Sequence, residues 1–249
     1  FSHAKLPVST SHSCVAMTAT VEPGLVLDAL NRQLKPTGLW FPVDVSTSAQ
    51  ATLGGMAGNN SCGSRSIAYG NMVHNVVGAS AWLSNGDLLD FGPVSQLGAK
   101  ETQLAEFVRS LARQHQAEIE ARWPKVMRRV AGYNLDIFHN QNEKPYTSDG
   151  SVNLAHLLIG SEGTLAYTKS LTLRLSELPK SKVLGVINFE SFHRAMDSAQ
   201  HIARLGLGLD DRQHRLQGVI GGEVAVIPVM QGAQRSPLHQ QRGQQQHGN

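Results

Sequence analysis

The run ATLGGMAGNNSCG, Ala51 to Gly63, has the most unusual local composition in the chain, with four glycines and two adjacent asparagines. Glycine has no Cβ, so such a run reaches positive φ easily and lets the main chain come close to a ligand. Successive backbone N–H groups in a turn of this kind form an anion-binding concavity suited to a pyrophosphate. An ordinary glycine-rich surface loop has the same composition, and composition alone leaves both readings open. Two familiar nucleotide loops are excluded, because there is no GxxxxGK[ST] and no GxGxxG after a strand.

Outward from this run, the pattern alternates between strands and helices. Towards the N-terminus, Val15 to Val21 is rich in β-branched residues and predicts a strand. Pro23-Gly24 then opens a helix with Leu27, Leu30 and Leu34 on one face, ended by Lys35-Pro36-Thr37-Gly38. Trp40 to Asp44 is extended around Pro42, and Gln50 to Gly70 is rich in Gly, Asn and Ser. Towards the C-terminus, Asn75 to Leu83 is a strand, Asn85-Gly86 a hairpin turn, and Leu88 to Phe91 the return strand. Lys100 to Arg122 is the clearest helix, with an apolar stripe of Leu104, Phe107, Val108, Leu111, Ala112, His115 and Ile119. That places His115 in the core or at its boundary.

Val130 to Asn153 is a turn-rich connection containing GYNLD (Gly132 to Asp136). After the apolar Leu154 to Ile159 comes GSEGT (Gly160 to Thr164), which taken alone is a turn with a capping acid. Leu171, Leu173 and Leu175 alternate as a strand, Val183 to Phe189 is another, and Phe192, Ala195, Met196, Ala199 and Ala203 line a final helix. Beyond Gly206 the periodicity ends. Asp210 to Gln217 has no clear period, and the closing QQRGQQQHGN cannot bury enough apolar surface to offset chain entropy, so a disordered tail is expected. The strand and helix from Val183 onward would then lack partners.

Composition removes several function classes. The 249 residues are 41% hydrophobic and carry a formal net charge of +3, which excludes disorder of the whole chain. Two cysteines, Cys14 and Cys62, are too few for a disulfide scaffold or a CxxC zinc site. Cys62, inside the glycine run, reads equally as a reactive thiol or a small filler. His239 and His247 are too far apart to preorganise a metal site, and no metal is expected. The longest apolar-leaning stretch, Gly218 to Met230, is too short and interrupted to cross a membrane. Arg122, Lys125, Arg128 and Arg129 form the densest basic run, but without interleaved aromatics or a recognised module, so no nucleic-acid partner is expected. Serine-hydrolase and zinc-hydrolase readings lack a GxSxG or HExxH. A start at Phe1 with no Met and no apolar leader suggests a fragment without a signal peptide, and sparse cysteines favour a cytoplasmic location.

Four segments, taken together and in order, carry a resemblance. They are WFPVDVSTSAQATLGGMAGNNSCGSRSIAYG (Trp40 to Gly70), NGDLLDFG (Asn85 to Gly92), RRVAGYNLD (Arg128 to Asp136) and LAHLLIGSEGTLAYTKSLTLRL (Leu154 to Leu175). The chain resembles the FAD-linked oxidases of the vanillyl-alcohol-oxidase type, in particular bacterial D-lactate or glycolate dehydrogenases and their iron–sulfur-fused relatives, over roughly residues 13 to 206. The resemblance implies an α+β fold: a PCMH-type FAD-binding domain, incomplete at its N-terminus, followed by the start of a ferredoxin-like cap. The corresponding division is 1–180 for the second FAD subdomain, 181–206 for the beginning of the cap, and 207–249 for the unpatterned tail. A first subdomain with an RGGGTS-like pyrophosphate loop should precede Phe1, and the rest of the cap should follow Gly206, where the sequence reads instead like a shifted frame or an unrelated extension.

The cofactor implied is non-covalent FAD. By the same resemblance Pro42 and Thr52 flank it, and Gly54 and Gly55 let the main chain pack against the pyrophosphate and ribityl chain. Asn59, Asn60 and Gly63 continue that wall, and Glu162 and Gly163 belong to a second cofactor-contacting turn. Arg129 and Tyr133 are substrate-side candidates, with packing of a connecting loop as the alternative for both. No catalytic acid or base can be assigned, because the family places those groups in the cap. The implied reaction is oxidation of a D-2-hydroxy acid such as D-lactate by hydride transfer to flavin N5, with electrons leaving to a cytochrome, a quinone or an iron–sulfur partner. A peripheral association with the inner membrane also fits the family, although no basic amphipathic helix here supports it. The alternatives are a truncated, inactive remnant of such a domain, or a sister flavoprotein acting on a different alcohol or 2-hydroxy acid.

Overall fold

The structure is a computed structural model. It describes residues 17–126, 129–130, 132–139, 146–147, 150–179, 183–204, 208–209, 216–219 and 222–230. The chain divides into two compact units, Phe1–Gly63 with Tyr69–Ser176, and Ser64–Ala68 with Glu177–Asn249. It is an α+β fold. Among the described residues no helix is long and apolar enough to cross a membrane.

The first unit is organised by a four-stranded antiparallel sheet. Its strands are β1 (Thr18–Val21), β3 (Val76–Trp82), β4 (Leu88–Phe91) and β5 (Tyr167–Arg174), in the order β1-β5-β3-β4. Val21 faces Leu171 in one pair and Ala79 faces both Leu171 and Phe91 in the others, so one face collects the buried Ala19, Val21, Ala79, Phe91, Leu171 and Leu173. Period-two alternation produces that face, and burying such side chains stabilises the unit by about 1.5–3 kcal/mol for each large one. Gly86 at φ 87 makes the turn between β3 and β4, as the Asn-Gly pair predicts.

Helix α1 (Leu27–Leu34) buries Leu27, Leu30 and Leu34 in the same core. A short strand β2 (Leu39–Trp40) follows. Asn31 of α1 then clamps Phe41 through both ends of its amide: Phe41 N donates to Asn31 Oδ1 at 2.7 Å, and Asn31 Nδ2 donates to Phe41 O at 3.3 Å. The Gly/Asn/Ser-rich stretch Gln50 to Gly70 is partly helical. It forms α2 (Leu53–Gly58) and begins α3 (Ser66–Tyr69), with α4 (Met72–Asn75) directly before β3.

The long helix is corrected in two respects. It is two helices, α5 (Ala99–Gln114) and α6 (Gln116–Arg122), separated at His115. Its inner face is Ala105, Val108, Ala112 and Ile119, while Phe107 is 64% exposed and His115 is exposed rather than at the core. Leu104, Val108, Ala112 and Ile119 of the expected stripe do face the core, and alanine at two of the four fully buried positions lets helix and core approach closely.

After β6 (Ser176–Glu177), the second unit contains β7 (Val183–Phe189), α7 (Phe192–Arg204), β8 (Gly208–Leu209), β9 (Leu216–Val219) and β10 (Gly222–Met230). Strand β10 pairs antiparallel with β7 from Glu223–Phe189 to Val229–Val183, and also with β8 and β9. Residues 208–209, 216–219 and 222–230 are therefore strands where an unpatterned tail is expected, and β7 has a partner. The GEVAVIPVM run supplies it through β-branched residues. The closing residues 231–249 lie outside the described residues.

Candidate functional site

Helix α2 is held down by its own first turn. Thr52 is its N-cap, accepting from Gly55 N at 3.3 Å, and Leu53, Met56 and Ala57 are buried at the i, i+3, i+4 spacing. Its first two residues lie against the Pro23–Leu27 segment: Leu53 N donates to Leu25 O at 2.9 Å and Gly54 N to Pro23 O at 2.7 Å. A Cβ on Gly54 would stand 2.5 Å from Pro23 Cβ, so only glycine allows this approach. Likewise, a Cβ on Gly63 would fall 2.1 Å from Asp44 O. Gly54 and Gly63 thus serve close packing, and the residue of this run at positive φ is Asn60, at 49°. Asn60 is buried, with Oδ1 accepting from Val73 N and Nδ2 donating to Arg129 O, both at 2.9 Å.

The GSEGT turn docks onto the C-terminal end of α2. Gly160 N donates to Ala57 O and Glu162 N to Gly58 O, each at 3.0 Å, which satisfies carbonyls a helix end otherwise leaves without partners. Gly160, Glu162 and Gly163 all have positive φ, at 88°, 53° and 74°. Within the turn, Ser161 Oγ donates to Leu158 O at 2.8 Å and Thr164 Oγ1 to Ser161 O at 2.6 Å.

The third segment runs beside this turn. Arg129 forks onto Asp136 at 2.8 and 2.7 Å, and reaches the Tyr146 hydroxyl at 2.9 Å and Asn134 Oδ1 at 3.2 Å. Its guanidinium also lies 5.7 Å above the Trp123 ring. Asn134 Nδ2 donates to His156 O at 2.9 Å and Ile159 O at 2.8 Å, and the Tyr133 hydroxyl sits 2.9 Å from Thr164 Oγ1. His156 is buried edge-on to Tyr146, with ring centroids 5.4 Å apart. Burial, reinforced by the nearby charges of His74 and Arg174, lowers its pKa to about 3, so it is neutral near pH 7.

Between α2 and the turn lies a cavity of about 330 Å³, at the lower end of the roughly 300–1,000 Å³ of small-molecule sites. Its walls include Pro23 and Gly24, then Gly54, Gly55 and Gly58 of α2, then Ser161, Gly163 and the first residues of β5. Of the residues singled out from sequence, Gly54, Gly55 and Gly163 line it together. Thr52 caps the helix beside it, and Glu162 adjoins Gly163 at the turn's exposed tip. Pro42, Asn59, Asn60, Gly63, Arg129 and Tyr133 are not in its lining: Pro42 is buried, Asn59 Oδ1 accepts from Ser61 Oγ at 2.6 Å, and Arg129 is occupied by Asp136.

Pro23 and Gly24 escape a sequence reading that treats them only as a helix opener. The signal available was their glycine, which a helix start does not need. Gly54 and Gly55 N–H groups are already bonded within the fold, whereas the Gly24 and Gly163 amides make no hydrogen bond among the described residues, and a Cβ on either would meet open space.

Residues 4–92 match the family described as FAD binding domain. A D-2-hydroxyglutarate dehydrogenase of Pantoea ananatis is 36% identical over 187 residues, covering 72% of this chain and 18% of that protein. Over part of its length the chain carries an FAD-binding domain of the PCMH, or vanillyl-alcohol-oxidase, type. A probable mitochondrial D-lactate dehydrogenase of Danio rerio is 33% identical over 188 residues, covering 76% of this chain and 28% of that protein. Among solved structures, alkyldihydroxyacetonephosphate synthase superposes with a TM-score of 0.48 at 18% identity, over 76% of this chain and 25% of that one. The chain spans less than a third of the length of the curated relatives named here.

The cofactor of this PCMH-type domain is FAD. The residues present fit part of such a ligand. Five glycines, Gly24, Gly54, Gly55, Gly58 and Gly163, contribute to the wall, and the Gly24 and Gly163 amides make no hydrogen bond among the described residues. A phosphate-bearing ligand needs close N–H donors without side chains in the way.

Proposed function

We propose that this chain is the FAD-holding part of a dehydrogenase that oxidises a D-2-hydroxy acid. The observation that carries the reading is the 36% identity over 187 residues to a protein named D-2-hydroxyglutarate dehydrogenase, beside a cavity to which five glycines contribute. A second relative is named for D-lactate, so the substrate shares the D-2-hydroxy-acid group and differs in the rest of the molecule. FAD supplies two-electron redox chemistry when bound. Gly24 and Gly163 would offer main-chain donors to its phosphates, and Thr52, Gly54 and Gly58 would keep the neighbouring main chain in place.

Non-covalent binding of the FAD is part of this reading, and the lining among the described residues contains neither histidine nor cysteine. The β7–β10 sheet with α7 would begin a substrate cap of ferredoxin-like type, with the acid–base group and an electron acceptor (a cytochrome, a quinone or an iron–sulfur centre) belonging to the complete protein. The test is the visible absorption spectrum of the purified chain after incubation with FAD and desalting. A retained flavin band is the expected result. A colourless chain would overturn the reading that these residues hold FAD.

A further inference from the structure

The edge of the cavity contains a relay whose direction can be worked out. Thr164 Oγ1 donates its one proton to Ser161 O, so the Tyr133 hydroxyl, 2.9 Å away, must be the donor to Thr164 Oγ1. The chain of bonds thus runs from Tyr133 through Thr164 to the main chain of Ser161, and closes the turn whose tip is Glu162-Gly163. Both tip residues have positive φ, and Glu162 pays the steric penalty of a side chain in that region. On one side the turn is fastened to α2 through Gly160 N and Glu162 N. On the other side, beyond Gly163, Thr164 N donates to Ser161 O at 3.0 Å, and the Tyr133 hydroxyl ties the Thr164 side chain to the neighbouring segment. Tyr133 follows Gly132 at φ 85, is 46% exposed, and does not line the cavity.

We propose that Tyr133 is a positioning residue for the cofactor turn, acting through Thr164 to hold the Gly163 main chain against the cavity. This rests on the reading that the cavity takes FAD. Arg129, the other candidate in the segment, does not share the role, because its guanidinium is occupied by Asp136, Asn134 and Tyr146. A tyrosine ring half in solvent contributes little to the core, so its hydroxyl is the part of the side chain that acts on the site.

The full chain is titrated with FAD by flavin fluorescence, visible circular dichroism is recorded at saturation, and cofactor-free melting serves as the control for folding. Tyr133→Phe is expected to weaken FAD binding about three- to tenfold, the effect of losing one neutral hydrogen bond, and to alter the flavin dichroism. Its cofactor-free melting point should move by no more than about 4 °C. Thr164→Ser keeps the relay and should bind FAD like the unaltered chain. Thr164→Val should bind more weakly, with no further loss when Tyr133→Phe is added. Unchanged affinity and dichroism in Tyr133→Phe, or additive losses in the double variant, would overturn the positioning role while leaving FAD binding intact. Should Tyr133→Phe fail to fold, equal affinity of the Thr164→Ser and Thr164→Val variants would overturn it instead. Failure of the unaltered chain to take up FAD would bring down the functional reading itself.

Discussion

Gly54→Ala isolates the close contact that forms the cavity floor. The new Cβ would lie 2.5 Å from Pro23 Cβ and 3.0 Å from Pro23 O, against the roughly 3.5–4.0 Å of comfortable carbon contacts. Pro23 would therefore have to move by about 1 Å, straining the Gly54 N to Pro23 O bond of 2.7 Å. Overpacking of this kind costs about 1–3 kcal/mol and a weakened hydrogen bond up to about 1 more, while alanine's helix preference returns roughly 1. The net loss is about 0–3 kcal/mol, or up to roughly 12 °C in Tm for a domain of this size, and the deficit relative to a helical alanine without the clash is about 1–4 kcal/mol. Gly58→Ala is the matched control in the same helix, because its Cβ would meet Glu162 Cα at an ordinary 3.7 Å. Both variants and the unaltered chain are unfolded in urea and by heat, followed by far-ultraviolet circular dichroism. A Gly54→Ala chain as stable as Gly58→Ala would refute the argument that glycine is present here for its missing Cβ.

Two further outcomes are expected. Asn60→Ala places a residue without local hydrogen bonding at φ 49 and strands Val73 N and Arg129 O, for a loss of about 2–4 kcal/mol in urea unfolding. Asn60→Gly relieves only the backbone strain, so it should recover about 1 kcal/mol of that loss. For His156, the folded pKa of about 3 lies below the ordinary 6.5, so the unfolded chain binds the extra proton between those values. The stability it contributes is complete above pH 6.5 and declines as pH falls towards 3. Lowering the pH from about 7 to about 5 should therefore cost about 2 kcal/mol that a His156→Gln chain does not lose, read as a shift in urea midpoint.

What could be read from residues alone was local. The Asn85-Gly86 pair, the three leucines of α1 and the alternation of Leu171 and Leu173 each satisfy a rule contained within one element, and each appears as expected. The Ala51–Gly63 run was half legible. Glycine abundance marks unusual backbone, but does not distinguish a need for positive φ from a need for close approach, and Gly54 and Gly63 turn out to be the second kind. Its Leu53, Met56 and Ala57 already carried helical spacing beneath the glycines. The inward face of α5 depended on which side chains fit the core, not which are most apolar, hence Ala105 inside and Phe107 outside. Contacts between distant segments left no local trace: Arg129 with Tyr146, Tyr133 with Thr164, and Pro23 with Gly54 become neighbours only once the sheet is built.

That dependence on the sheet has a temporal side. Strands β3 and β4 are joined by a tight turn and can pair as soon as both exist, but β1 pairs with β5, and Thr20 meets its partner Thr172 across 152 residues of chain. Contacts of such high sequence separation form late, because loop-closure entropy must be overcome before they contribute. In a growing polypeptide, Ala19 and Val21 remain without their native cover until β5 has left the ribosome. The segment holding Pro23 and Gly24 follows β1 directly, so one wall of the cavity arrives with the slowest pairing. A ligand of this cavity can hold the finished sheet together, but it cannot guide its assembly.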